Sequence, residues 1–170
     1  MKKKWVAAGI LGILLLFSVL LLYQRKGGSG PLQAPCYTPP PSTRMEDNLI
    51  SVQEAQEKVP YKIIEPKYLP TDFRFLGVYV CGEKVTLLYE DSNGRRITIS
   101  EWSDSGYKHQ PYPGEREVTI TGVKGWFSIP GPYNLLWNCN GLIVSISADL
   151  SGGREVAMDE VIKVAESMQC

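Results

Sequence analysis

The single histidine of the chain, His109, follows Asp104 and Ser105 by five and four positions, so a nucleophile, a base and an orienting carboxylate can be named within one short stretch. Hydrolysis by such a set needs the serine on a sharp strand-to-helix elbow of the G-x-S-x-G kind. No such motif accompanies His109, and the expectation is a solvated loop histidine, with a hydrolase centred on it the weakest functional reading. Glu90-Asp91 and Asp159-Glu160 supply paired carboxylates, the residue type that general acid/base catalysis uses. One pair falls at a strand end and the other on the outer side of a helix, where solvation accounts for both. Cys36, Cys81, Cys139 and Cys170 stand 45, 58 and 31 residues apart with no C-x-x-C. With one histidine to share they make no zinc pattern. The chain therefore reads as a non-enzyme with no metal and no cofactor.

Aromatic side chains offer the other chemistry. Trp102, Tyr107, Tyr112, Trp126 and Tyr133 fall on the less aliphatic side of the expected strands or on loops at their edge. Such rings can hold an apolar ligand, a glycan or a protein partner. These five form the candidate interaction surface.

What must position them is a sheet. From Arg74 to Ala148, apolar-rich runs alternate with turn residues at a period nearer two than 3.6. Seven strands are expected: Arg74–Val80, Lys84–Glu90, Arg95–Trp102, Glu115–Thr121, Val123–Ile129, Tyr133–Asn138 and Leu142–Ala148. Cys81-Gly82, Ser92-Asn93-Gly94, Thr121-Gly122 and Asn138-Cys139-Asn140-Gly141 supply turns that tolerate positive φ. An antiparallel meander follows, with 103–114 as its one long, exposed connection. Val85, Leu87 and Tyr89 share a face, as do Ile97 with Ile99 and Leu142 with Val144 and Ile146, and hydroxyl residues take the opposite side. The aliphatic face requires a cover. Met158, Val161, Ile162, Ala165 and Met168 line one side of a C-terminal amphipathic helix that can provide it. Ser51 and Glu54 form a capping-box pattern for a short first helix over Ser51–Lys58, stopped by Pro60. A brief strand over Tyr61–Ile64 comes next, then a proline-bracketed turn. The fold class is α+β.

Ahead of this domain (49–170), nineteen residues from Trp5 to Tyr23 carry no charge. At about 1.5 Å per residue they reach roughly 28 Å, close to the hydrocarbon thickness of a bilayer. Arg25 and Lys26 follow directly and Gly28-Ser29-Gly30 run into Pro31, which argues for an uncleaved anchor over a signal peptide. Pro35 before Cys36 is unlike a lipoprotein site. Lys2, Lys3 and Lys4 against Arg25 and Lys26 orient the N-terminal tail (1–4) to the cytoplasm. The Gly/Pro-rich linker (24–48) is a spacer and the domain is extracytoplasmic. Past residue 26 the balance is 13 basic against 18 acidic residues. That acidic surface excludes nucleic acid as a partner.

All four cysteines lie on the outer side, where disulfides persist. Two bridges are possible and three pairings stay open. A continuous up-and-down meander puts Cys81 and Cys139 at opposite ends, against their pairing; an unbroken strand over Val118–Ile129 reverses this and makes it the leading pair.

The order of pieces resembles a known family: Val59-Pro60-Tyr61-Lys62-Ile63, Pro66-Lys67-Tyr68-Leu69-Pro70, Leu87-Leu88-Tyr89, Val118-Thr119-Ile120-Thr121-Gly122-Val123-Lys124-Gly125, Leu135-Leu136-Trp137, Asn140-Gly141-Leu142-Ile143 and Asp159 through Met168. It is similar to an uncharacterised extracytoplasmic domain of unknown function found behind single membrane helices in Gram-positive bacteria, with members in anti-sigma factors and sporulation-associated membrane proteins. The resemblance covers about residues 50–168 and carries no active-site residues. With four residues ahead of the apolar run there is no sigma-binding region, so a complete anti-sigma factor is not expected. A distant likeness to periplasmic lipoprotein carriers and sensors implies acyl-chain binding by a curved sheet. The functional expectation is a membrane-anchored extracytoplasmic interaction module that binds an envelope protein, with a carrier or sensor of an apolar ligand such as an acyl chain as the alternative.

Overall fold

A computed structural model describes residues 48–128, 133–148 and 156–170; the expected anchor at Trp5–Tyr23, the linker up to residue 47 and Cys36 lie outside the described residues. No helix among the described residues is long and apolar enough to cross a membrane.

The first helix, α1 (Val52–Gln56), opens on the expected capping box. The Ser51 hydroxyl accepts the Glu54 amide at 3.2 Å, and the Glu54 carboxylate accepts the Ser51 amide at 2.9 Å. Two donors left unpaired by the first helical turn are thereby satisfied. The helix ends two residues short of Lys58.

Tyr61–Ile64 is not the strand expected. It belongs to an extended strap whose backbone is bonded by side chains and not by a neighbouring strand. Gln56 Nε2 donates to the Tyr61 carbonyl at 2.7 Å, and Gln56 Oε1 accepts the Ile63 amide at 3.0 Å. Pro60, Pro66 and Pro70 lack the N–H that a ladder requires. Farther along, the Lys67 amide donates to Ser167 Oγ at 3.1 Å and the Tyr68 hydroxyl to the Glu160 carboxylate.

Seven strands follow: β1 (Arg74–Cys81), β2 (Lys84–Glu90), β3 (Arg96–Ser103), β4 (Glu115–Ile120), β5 (Val123–Ser128), β6 (Tyr133–Cys139) and β7 (Leu142–Ala148). Every neighbouring pair is antiparallel. Thr121-Gly122 and Asn140-Gly141 close tight turns with φ of 47°, 87°, 51° and 85°, the conformation whose twist suits a two-residue hairpin.

The order β1-β2-β3-β7-β6-β5-β4 is not the single meander expected. Two meanders, β1 to β3 and β4 to β7, join where β3 pairs with β7. Ser103 pairs with Leu142, and Leu142 with Cys139, so these residues share one end of the sheet. Glu115 pairs with Ser128 at the other end. Residues 104–114 must therefore run the length of the sheet and across β7, β6 and β5 to reach its far edge. A tight turn would have forced β3 and β4 together; this longer connection leaves the β3 edge free for the aliphatic β7.

That crossing also revises the cysteine geometry. Cys81 and Cys139 lie at the same end, yet four strand spacings of about 4.8 Å separate β1 from β6. Val118–Ile129 is two strands and not one. Cys139 bonds Cys170, with their Cα atoms 5.1 Å apart. Cys81 is disulfide-bonded as well.

The core lies on the aliphatic face. Val85, Leu87, Ile97, Ile99, Leu135, Val144 and Ile146 are fully closed off there. The C-terminal helix α2 (Met158–Ser167) adds Val161, Val164 and Ala165, and Met168 follows it into the same core. The helix does not cover the sheet alone: Ala55 of α1 and Val59 and Ile63 of the strap join the cluster. Nor is the opposite face bare. Thr86, Leu88 and Ile143 are buried on it. Leu49 packs at Gly77, the register partner of Leu88, and the 104–114 segment lies over Ile143.

Candidate functional site

The crossing segment is pinned at both ends by carboxylates. Asp104 accepts the Tyr107 amide at 2.7 Å and the Asn138 side-chain amide, while its own amide donates to the Gly141 carbonyl at 2.8 Å. Glu115 accepts the Tyr112 amide at 2.8 Å and the Ser128 hydroxyl at 3.2 Å. Between these anchors His109 turns inward, 5.5 Å from Trp126 between ring centroids. Its Nε2 lies 2.7 Å from Glu115 Oε2 and its Nδ1 3.2 Å from the Tyr107 hydroxyl. Nε2 meets the carboxylate and Nδ1 the phenol oxygen, so both ring nitrogens are committed. His109 is thus a keystone of the loop and not the solvated histidine expected, and the groups on its ring are a phenol and a carboxylate instead of a serine.

Glu115 is still more enclosed, its side chain 7% exposed against 11% for His109. Burial alone would raise its carboxyl; the Tyr112 amide, His109 and Ser128 outweigh that and hold it below the usual carboxylate value. The charge they stabilise is the one that orients the imidazole.

Three of the five aromatic candidates converge here. Tyr107 and Tyr112 flank His109 at 6.2 and 6.1 Å, and Lys124 Nζ lies 5.7 Å from the centre of Trp126. A cleft of about 140 Å³ remains between the loop and Leu136, Asn138 and Ile143. It is smaller than the pockets that take drug-sized ligands. Trp102 stands apart: it pairs with Ile143 on the same face, under Lys84 Nζ at 5.3 Å from its ring centre. Tyr133 opens β6 opposite Ala148, and its side chain lies outside the described residues. On the same outer face Thr86 of β2 meets Ser100 of β3 at 3.1 Å, and Ser145 of β7 donates to Asn134 of β6 at 2.6 Å.

Two carboxylates matter in ways that the spacing of residue types did not show. Asp91, read as solvated, is 2% exposed and organises the β2–β3 turn. Glu101 is fully buried, on the core face. Strand parity could have found it, since Glu101 continues the series Ile97, Ile99 on the aliphatic side. Its carboxylate oxygens share the Ile64 amide, each at 3.2 Å, and its carbonyl accepts the Tyr61 hydroxyl at 2.8 Å. Beyond it, at the sheet end, a cleft of about 410 Å³ opens between the strap at Tyr61, Lys62 and Ile64 and the segment around Cys139 and Gln169. Groups of three or more His, Cys, Asp or Glu placed to hold a metal do not occur among the described residues.

These features define an α+β domain on one open antiparallel sheet, with a helix and a strap on its inner face and an aromatic-bearing loop drawn across its outer face. The chain belongs to the DUF4367 family, a domain of unknown function, whose model matches residues 63–168. The match begins inside the strap and ends at Met168, so it takes in every strand and α2. No curated protein and no solved structure matches the chain.

Proposed function

We propose that the chain is a membrane-tethered, non-catalytic interaction module on the outer side of a Gram-positive envelope, and that a protein partner docks on the outer sheet face around residues 104–114. The observation that carries this reading is the pinned crossing segment. Tyr112 is 71% exposed and Tyr107 44%, on a backbone already fastened at Asp104 and Glu115. Large rings held in place lose little further freedom on binding, which is why such groups dominate protein interfaces. The tether rests on the uncharged run from Trp5 to Tyr23, and the outer location on that run's flanking charges and on the Cys139–Cys170 bond.

The two alternatives gain less support. A carrier needs an apolar cavity between sheet and helix, where Val161, Val164 and Ala165 are instead packed to zero exposure. A hydrolase needs a serine on His109, whose ring meets Tyr107 and Glu115.

A photo-crosslinking residue at Tyr112 of the full chain, activated in intact cells, should give one discrete adduct. The same residue at Glu166, exposed on α2, should not. Trp126→Ala should weaken the Tyr112 adduct severalfold. Equal labelling from both positions, or only uncrosslinked chain from Tyr112, overturns the docking surface.

A further inference from the structure

Among the described residues, the most unusual polar group away from the outer face is Glu101. It is fully buried on the core side of β3, between Val85 of β2 and Val144 of β7 in register. A carboxylate offers about four acceptor sites, and a single shared amide serves these. No cation among the described residues reaches it. Lys84 of β2 is turned to the outer face over Trp102, and Lys62 of the strap lines the cleft. The titratable groups whose charge bears on it are Glu65 and, reciprocally, Tyr61 of the strap and Tyr89 of β2, none of which brings positive charge. The buried side chains of α2 are apolar, and its charged residues Asp159, Glu160, Lys163 and Glu166 lie outside that set. An ionised carboxylate so placed is costly unless water or a cation reaches it.

The one amide that serves Glu101 belongs to Ile64 of the strap. From Tyr61 to Ile64 the strap has no ladder. Its polar anchors among the described residues are Gln56 on Tyr61 and Ile63, Glu101 on Ile64, and the Tyr61 hydroxyl on the carbonyls of Glu83 and Glu101 at 2.6 and 2.8 Å. Its buried apolar anchor is Ile63, part of the core cluster. Tyr61, Lys62 and Ile64 also wall the 410 Å³ cleft.

We propose that Glu101 and the strap at residues 61–64 form a proton-sensitive latch: the neutral carboxyl keeps the strap seated at the end of the core, and ionisation of Glu101 releases it and widens the cleft. This does not depend on the outer-face docking surface.

The direction follows from linkage. Burial pushes the Glu101 carboxyl up to about 7, the Ile64 amide opposing and Glu65 adding to the rise. A lifted strap lets water reach the carboxyl and returns it toward its ordinary value of 4.5. The seated form therefore binds the proton more tightly, and raising the pH from 4.5 toward about 7 shifts the population to the lifted form by up to about tenfold per pH unit, levelling off above 7. Lys67 and Tyr68, tied to α2, mark where the movement stops.

Hydrogen exchange of the full chain, followed by mass spectrometry from pH 5.5 to 8.5 and corrected for intrinsic exchange at each pH, tests the latch. Protection of the peptide spanning 61–65 should fall about tenfold or more across the range while that of 142–148 stays level. In Glu101→Gln, which keeps an acceptor for the Ile64 amide but cannot ionise, the 61–65 protection should change less than about twofold. Tyr61→Phe, which removes one anchor and leaves the titration, should move the transition to lower pH and supports the reading even if the glutamine variant does not fold. A flat wild-type profile, an unchanged profile in Glu101→Gln, or parallel loss of protection in 142–148 overturns it.

Discussion

Asp91 and Glu101 are both closed to solvent, at 2% and 0% exposure, yet they answer burial in opposite directions because different numbers of donors reach them. Around Asp91, burial would raise the carboxyl, but the Arg95 side chain at 2.6 Å, the Arg95 amide at 2.8 Å and the Asn93 amide at 2.9 Å hold it at about 2. Glu101 has one shared amide and rises to about 7. The signs for stability differ accordingly. Asp91, with its folded value depressed, contributes stability above its ordinary 3.8 that is lost as pH falls toward 2. Glu101, with its folded value raised, contributes below its ordinary 4.5 and loses that contribution as pH rises through about 7. For Glu101 the alkaline loss is on the order of 3 kcal/mol. Urea unfolding across pH 2 to 9 should thus show a maximum between the two limbs; Asp91→Asn should flatten the acid limb and Glu101→Gln the alkaline one. An unchanged alkaline limb in Glu101→Gln would remove Glu101 from this role. Neither environment was legible in the residue types alone. Asp91 looks like any acid at a strand end until the turn brings two amides and a guanidinium onto it. Glu101 was open to parity, because it sits in phase with Ile97 and Ile99, but which amide meets it depends on the strap.

Among the elements, strands were the easiest to read. Their period-two pattern and the Gly- and Asn-bearing turns are local properties, and the observed bounds differ from the expected ones by a residue at most. Irregularities inside the elements were not visible. In β1 the pairing slips between Phe75 and Gly77, where φ is 151° and a Cβ would stand 2.8 Å from Leu49 Cβ. Leu49 reaches that point because Ile50 pairs with Val78 through two backbone bonds of 2.9 Å. Gly77→Ala should cost about 1 to 3 kcal/mol, through this overlap and the strained φ. A lowered urea midpoint would show it, partly recovered when Leu49→Gly removes the opposing atom, whereas a neutral result would mean that this edge readily gives way. The strap failed as a strand prediction for a related reason: its apolar residues are ordered by Gln56 and Glu101, which come from elsewhere in the chain, and not by a ladder.

For the whole molecule, the decisive feature is where β3 finds its second partner. Pairing with β7 sends residues 104–114 across the outer face, gathers Tyr107, His109, Tyr112 and Trp126, and leaves Trp102 outside the group. It also brings β6 beside the chain that follows α2, where Cys139 meets Cys170 across 31 residues. Closing a loop of that length restricts the unfolded chain by on the order of 3 to 4 kcal/mol. Cys139→Ser with Cys170→Ser should lower stability by about that amount in urea unfolding without reductant; an unchanged midpoint would mean that the bond adds nothing to the fold. The amino-acid order by itself determined the seven strands, the two helices and the aliphatic face, because each depends on spacing within a few residues. Sheet order, cysteine partners, the role of His109 and the burial of Glu101 were decided only by tertiary structure. Each requires two segments remote in sequence to occupy the same space, and a free strand edge accepts whichever aliphatic partner the rest of the chain can deliver.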